Sequence, residues 1–278
     1  MTATATALPD TVRLGFGRLL RSEWIKLRSI RSTVWCYAIL VVVTIALATA
    51  LGSALAPGGP VTQDGANGTV VTINTASVSL TALVVAVLGV LIITGEYGTG
   101  QVRSTFTADP RRTGVILAKA AVLAVTTFVV SAVSIWIGVA ISAALQAGKG
   151  VRADLADPSV FMPILGASVY VTLLALLAYG IGLLVRSSAG GIAITLGILL
   201  VLPIVLSLFA SVLQAQWLMD VFRFLPDQAG TQLYAYSAGD AVQQDGVVLN
   251  GWGGFAVLAA EVVVVGALAL TVARRRDV

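Results

Sequence analysis

The sequence predicts an all-α membrane protein: six transmembrane helices, an N-terminal interfacial amphipathic helix, and both termini cytoplasmic. Three observations carry this. Of 278 residues, 58% are hydrophobic and only 11% charged, where a soluble domain carries about 25% charged residues. The mean hydropathy is +0.96. The apolar residues gather into six runs, each long enough to cross a hydrocarbon core about 30 Å thick. The basic residues fall mostly on one side of those runs.

Composition also excludes chemistry. There is no histidine and one cysteine, Cys36. A disulfide within the chain is impossible, and a metal site built from His and Cys is excluded. Histidine-based acid–base catalysis and haem or cluster ligation are excluded with it. A charged stretch of about thirty residues precedes the first apolar run, so the N-terminus does not read as a secretory signal.

Residues 1–10 are rich in Thr and Ala and are expected to be disordered. Residues 11–31 read as a helix. At about 100° per residue, Val12, Phe16, Leu19, Leu20, Leu27 and Ile30 share one face, with Trp24 at its edge. Arg18, Arg21, Lys26 and Arg28 take the other faces, and Glu23 interrupts the apolar one. A basic amphipathic helix with a Trp suits the membrane interface, so Phe16, Leu20, Trp24 and Leu27 are expected to meet lipid there.

The transmembrane unit is 32–278, with spans at about 34–55, 76–94, 115–145, 160–185, 189–213 and 255–273. The segment 56–74, with Pro57-Gly58-Gly59-Pro60, reads as a loop. The third span is longer than a bilayer needs and is expected to tilt or to begin outside it. Pro163 is tolerable near the start of the fourth span. Pro203 predicts a kink or break in the fifth. The segment 214–253 is polar but holds Trp217, Phe222, Phe224, Tyr234, Tyr236 and Trp252. It is expected to fold back onto the membrane, with short re-entrant helices.

Fourteen of the seventeen basic residues lie on the side of the termini. Only Lys149, Arg152 and Arg223 lie on the other. The positive-inside rule then puts both termini in the cytoplasm. That placement accounts for the net charge of +4 without nucleic acid.

No nucleotide-hydrolysing loop is present. The Gly148-Lys149 pair is followed by Gly150, and Ala143 stands where the first glycine belongs. Glu261 is the one acid well inside a span. It reads either as an ion or proton site or as a hydrogen-bonded group that pins its helix. The longest polar break on the cytoplasmic side is the stretch from Gly95 to Lys119, G-E-Y-G-T-G-Q-V-R-S-T-F-T-A-D-P-R-R-T-G-V-I-L-A-K.

These features resemble the type-2 permeases of bacterial ATP-binding cassette (ABC) transporters. The likeness rests on S-E-W-I-K-L-R-S-I-R-S-T-V-W from Ser22 to Trp35, on the stretch from Leu91 to Lys119, and on six spans with a long aromatic loop before the last. It implies a membrane subunit that is not itself an enzyme. The chain would bind no cofactor. ATP and Mg would sit on a separate cytoplasmic cassette ATPase, and a second permease copy or a related permease would complete the pathway.

The resemblance further implies that a short helix after Glu96 couples to the ATPase. Thr99, Gln101, Arg103, Phe106, Arg111 and Arg112 would belong to that contact, and Arg186 to a smaller second one. Residues 99–106 can make about two turns, and Pro110 would end them. Glu96 can pair with Arg103 or Lys119 as the chain folds back. Export of a small or amphipathic substrate is the implied activity. The alternatives are an ion-coupled secondary transporter using Glu261 and a membrane module that does not transport.

Overall fold

The apolar runs become helices because a bilayer leaves the backbone no other partner for its N–H and C=O groups. The computed structural model describes residues 15–55, 62–98, 113–237 and 249–275. Among these there are helices and connections but no strand. Helix α1 (Phe16–Ser29) ends at Ile30, whose extended backbone separates it from α2 (Arg31–Ala54). Helices α3 (Gln63–Thr75) and α4 (Val78–Gly98) follow one another across a two-residue turn. Next come α5 (Thr113–Ala147) and α6 (Pro158–Val185). Helix α7 (Ser188–Leu196), a π-helical turn (Gly197–Val201) and α8 (Leu202–Leu213) form one interrupted rod. Helices α9 (Gln216–Arg223) and α10 (Pro226–Thr231) are short, and α11 (Gly251–Arg275) is long.

Six of these units are long and apolar enough to cross a membrane: α2, α3 with α4, α5, α6, α7 with α8, and α11. The π-helical turn lies just before Pro203, so the expected irregularity in the fifth span is present. Helix α5 has 35 residues. At 1.5 Å per residue it is about 52 Å long, well beyond the hydrocarbon thickness.

Burial sets the layout. The most apolar windows of the α3–α4 unit and of α6 are 61% and 56% buried, against 17% for α7–α8 and 11% for α11. Helices α4 and α6 are therefore the centre, with α2, α5, α7 and α11 around them. Lipid tails are as apolar as Leu, so helices associate here through close packing. A Cβ on Gly89 of α4 would lie 2.3 Å from the carbonyl oxygen of Ala175 on α6. The two backbones meet because that atom is missing.

The loop expected over 56–74 is corrected from residue 63 onward. Helix α3 begins at Thr62, whose side chain accepts from the Gly65 N–H at 3.2 Å. Its sequence looks like a loop because Asn67 and Asn74 interrupt the apolar positions. Both are buried and hydrogen-bonded. Asn74 donates to Ser142 Oγ at 2.8 Å. Asn67 accepts from the Asp154 N–H at 2.9 Å and donates to Asp157 at 3.3 Å. Sequence hydropathy penalises buried polar groups that the fold satisfies.

The bundle has two ends. The near end carries α1, the C-terminus of α4, the start of α5 and the α6–α7 turn. The far end carries α3, α9 and α10. At the far end Lys149 donates to the carbonyls of Gly52, Ser53 and Leu55 at 3.0, 2.6 and 2.7 Å. It caps the C-terminus of α2, where helix carbonyls lack partners.

Candidate functional site: a buried ring of four charges

Helix α1 turns one face to the bundle, and that face is centred on Glu23 and Leu27, one turn apart and both buried. Its partner is the start of α5. The acid that interrupts the apolar face is therefore the group that enters the protein.

There it meets three other charges. Lys26 donates to Glu23 Oε1 at 2.9 Å and to Glu96 Oε1 at 3.0 Å. Lys119 donates to Glu96 Oε1 at 2.9 Å and also to Glu23 Oε2. Among the described residues the order Glu23–Lys26–Glu96–Lys119 closes on itself, with acid and base alternating. Side-chain exposure is 4% for Glu23, 9% for Glu96 and 5% for Lys119, against 32% for Lys26.

Such burial carries a desolvation cost that only close pairing offsets. Each carboxylate faces two ammonium groups. Burial alone would lower the pKa of Lys26, but hydrogen bonds to Glu23 and Glu96 and their charges raise it above the usual lysine range. Its stabilising contribution is thus fully present below about pH 10.4, the unfolded lysine value. It is lost only as pH rises through the higher folded value. Across physiological pH this member of the ring stays charged.

The last turn of α4 holds more than the ring. Ser188 Oγ donates to Thr94 Oγ1 at 2.8 Å. The Arg186 guanidinium lies over the Tyr97 ring, 5.3 Å from its centroid. Arg186 caps α6 with φ 59°, a left-handed conformation that favours glycine. Its Nε and Nη2 are buried without a hydrogen-bond partner among the described residues. Residues 94–97 thus touch α1 and α5 through Glu96, and the α6–α7 turn through Thr94 and Tyr97. This is the junction where α4 leads into segment 99–112.

The residues singled out from sequence fall in several places. Glu96 and Arg186 both belong to this junction. Thr99, Gln101, Arg103, Phe106, Arg111 and Arg112 lie outside the described residues. On α1, Phe16 and Trp24 are exposed, Leu20 is half-buried, and Leu27 is buried against the bundle. Leu27 therefore packs on protein, a correction to its expected lipid contact. Glu261 lies on α11, away from the ring. Its Oε2 is buried without a hydrogen-bond partner among the described residues. Lys119 was one of two partners foreseen for Glu96. Glu23 and Lys26 were missed, and the available signal was an acid in an apolar helix face followed three residues later by a base.

The ABC-2 family of transporter proteins matches residues 19–200, from α1 through the π-helical turn.

The chain belongs to the ABC-2 transporter family.

No curated protein matches it. The matched region contains all four ring residues and Arg186. With six membrane-competent helices, this ABC-2 chain is a multi-pass membrane protein and a transport subunit.

Proposed function

We propose that the chain is the permease of an ABC exporter, driven by a separate cytoplasmic ATPase through the last turn of α4. The near end is cytoplasmic. It carries Arg18, Arg21, Lys26, Arg28, Arg31, Arg186, Arg274 and Arg275, the asymmetry that the positive-inside rule requires. Helix α1 lies in the inner interface, with Phe16 and Trp24 toward lipid. A second permease copy or a related permease completes the pathway. Small or amphipathic molecules are the cargo class.

The observation that carries this reading is the junction at 94–97. Segment 99–112, which the family resemblance makes the ATPase contact, leaves α4 directly from residues bonded to α1, α5 and the α6–α7 turn. A displacement of that segment moves the end of α4. The ring and the Arg186–Tyr97 stack pass the motion to three other elements, because a packed, hydrogen-bonded charge network resists shear.

The test is charge reversal at Glu96 or Arg103, or a proline placed within 99–106. ATP hydrolysis and transport are then measured on the reconstituted complex. The expected outcome is hydrolysis that no longer drives transport, with membrane insertion unchanged. Full transport in these variants removes the coupling assignment.

The unpartnered Oε2 of Glu261 supports one second reading, ion-coupled transport. Transport that collapses in Glu261→Gln but survives ATP depletion selects it.

A further inference from the structure

We propose that the outward face of α1, continued by the start of α2, binds the headgroups of anionic phospholipids. Which leaflet supplies them rests on the cytoplasmic placement of the near end proposed above.

Glu23 is the only acid in α1 and α2. The fold turns it inward, where it accepts from Lys26 and Lys119. Leu27, one turn on, shares that buried face. The opposite face is left without a carboxylate. Arg21 and Arg28 stand two helical turns apart, so they lie on one stripe, and both are exposed. Trp24 and Ile25 fall between them, three and four residues after Arg21, and are exposed as well. Arg31 opens α2 just beyond Ile30, and Trp35 follows one turn later. These two are also exposed. Arg21, Arg28 and Arg31 make no ion pair with any described residue.

The depth of this face is set by the chain. Helix α2 is a membrane-competent span from its first residue, and Ile30 alone separates it from α1. Helix α1 is therefore tied to the membrane surface. A face turned to bulk water would have no use for Trp24 and Ile25, and a face among acyl chains would not hold arginines. The two kinds of side chain meet at headgroup level, where tryptophan rings settle and basic groups find lipid phosphate.

Charge selects among headgroups. Every phospholipid offers a phosphate, which a guanidinium can hold through paired N–H donors. Choline and ethanolamine headgroups add an ammonium group, and this face has no carboxylate to receive it. A headgroup that is only negative leaves no charge unmatched. Arg21 and Arg28 are about 10 Å apart along the axis, so the stripe reaches more than one phosphate. The same helix presents Glu23 to the ring, so lipid bound outside holds in place the element that delivers the acid inside.

The test is photolabelling of the reconstituted complex in phosphatidylcholine vesicles. The probes are phosphatidylglycerol and phosphatidylcholine at equal mole fraction, each with a diazirine beside the headgroup. Phosphatidylglycerol is expected to label residues 21–35 at least about five-fold more than phosphatidylcholine does, the scale set by basic residues at an anionic surface. Arg21→Gln with Arg28→Gln and Arg31→Gln should bring the two probes close to equality. Arg274→Gln with Arg275→Gln, at the same end but on α11, should leave the preference at 21–35 unchanged. Should the triple variant fail to insert, Arg28→Gln alone and added salt on wild type decide, since both must lower the preference.

Equal labelling of wild type by the two probes overturns the proposal, as does a preference untouched by the substitutions and by salt. So does labelling of 21–35 only after the ATPase is stripped away, which would make this face a protein contact. Orientation is read separately in intact cells, from Ser22→Cys in a Cys36→Ala background. A membrane-impermeant maleimide that reaches Cys at this position from outside removes the cytoplasmic placement, whereas a retained phosphatidylglycerol preference still supports the headgroup site.

Discussion

Lys119 and Lys26 occupy equivalent places in the ring, yet their removal should have very different consequences. Lys119 is 5% exposed and donates to both Glu23 and Glu96. Lys119→Met takes one ammonium group from each of two buried carboxylates. Breaking a buried pair by deleting one partner costs about 3–5 kcal/mol. Lys26 is about one-third exposed, so water can replace part of what it supplies. Lys26→Met should cost about 1 kcal/mol. The double variant Glu23→Gln with Lys119→Met keeps the Lys26–Glu96 bond and removes one buried carboxylate charge together with the ammonium, and it should recover most of the loss. The assay is an unfolding titration of the purified protein in mixed micelles, read by tryptophan fluorescence. Either of two results would contradict this role for Lys119: Lys119→Met no worse than Lys26→Met, or a double variant worse than Lys119→Met alone.

Three other outcomes follow from the same geometry. Gly89→Ala places a methyl group against the Ala175 carbonyl on the central α4–α6 contact. It should cost about 1–3 kcal/mol in the same titration. Arg186→Gly relieves a left-handed residue but removes the stack on Tyr97, worth about 0.5–1 kcal/mol. Stability should stay within about 1 kcal/mol of wild type, while coupling of hydrolysis to transport falls. Burial holds the Asp227 carboxyl above the usual carboxylate range, although Tyr170 and Gln228 donate to it. A raised folded pKa gives stability below the unfolded value that is lost as pH rises through the folded one. Asp227→Asn should therefore melt higher than wild type at pH 7.5, and the advantage should vanish near pH 4.

Most of the architecture was legible because the bilayer forces it. Long apolar runs must be helices, and the six units were visible from Val34, Ala76, Val115, Val160, Ala189 and Phe255 onward. What hydropathy could not see was polar structure that the fold satisfies internally. Helix α3 read as a loop because Asn67 and Asn74 look solvated in sequence, whereas both are buried and bonded to α5 and to the 150s segment. Glu23 read as a blemish for the same reason. A carboxylate in an apolar face signals a partner, but the partner, Lys119, lies 96 residues away. Pairwise distance of that kind has no local signature. Glu96 was recognised because it stands at the edge of a span. The motif around it resembles a known family, and its pairing with Lys119 was one of two options.

The proposed function requires a separate ATPase to drive this chain. The most direct measurement is the composition of the complex purified from native membranes through a tag on the permease, by quantitative mass spectrometry. A cassette ATPase is expected in stoichiometric amount, lost when residues 99–106 are replaced by a flexible linker. A permease that purifies without any nucleotide-binding subunit, and still transports after reconstitution, would contradict it.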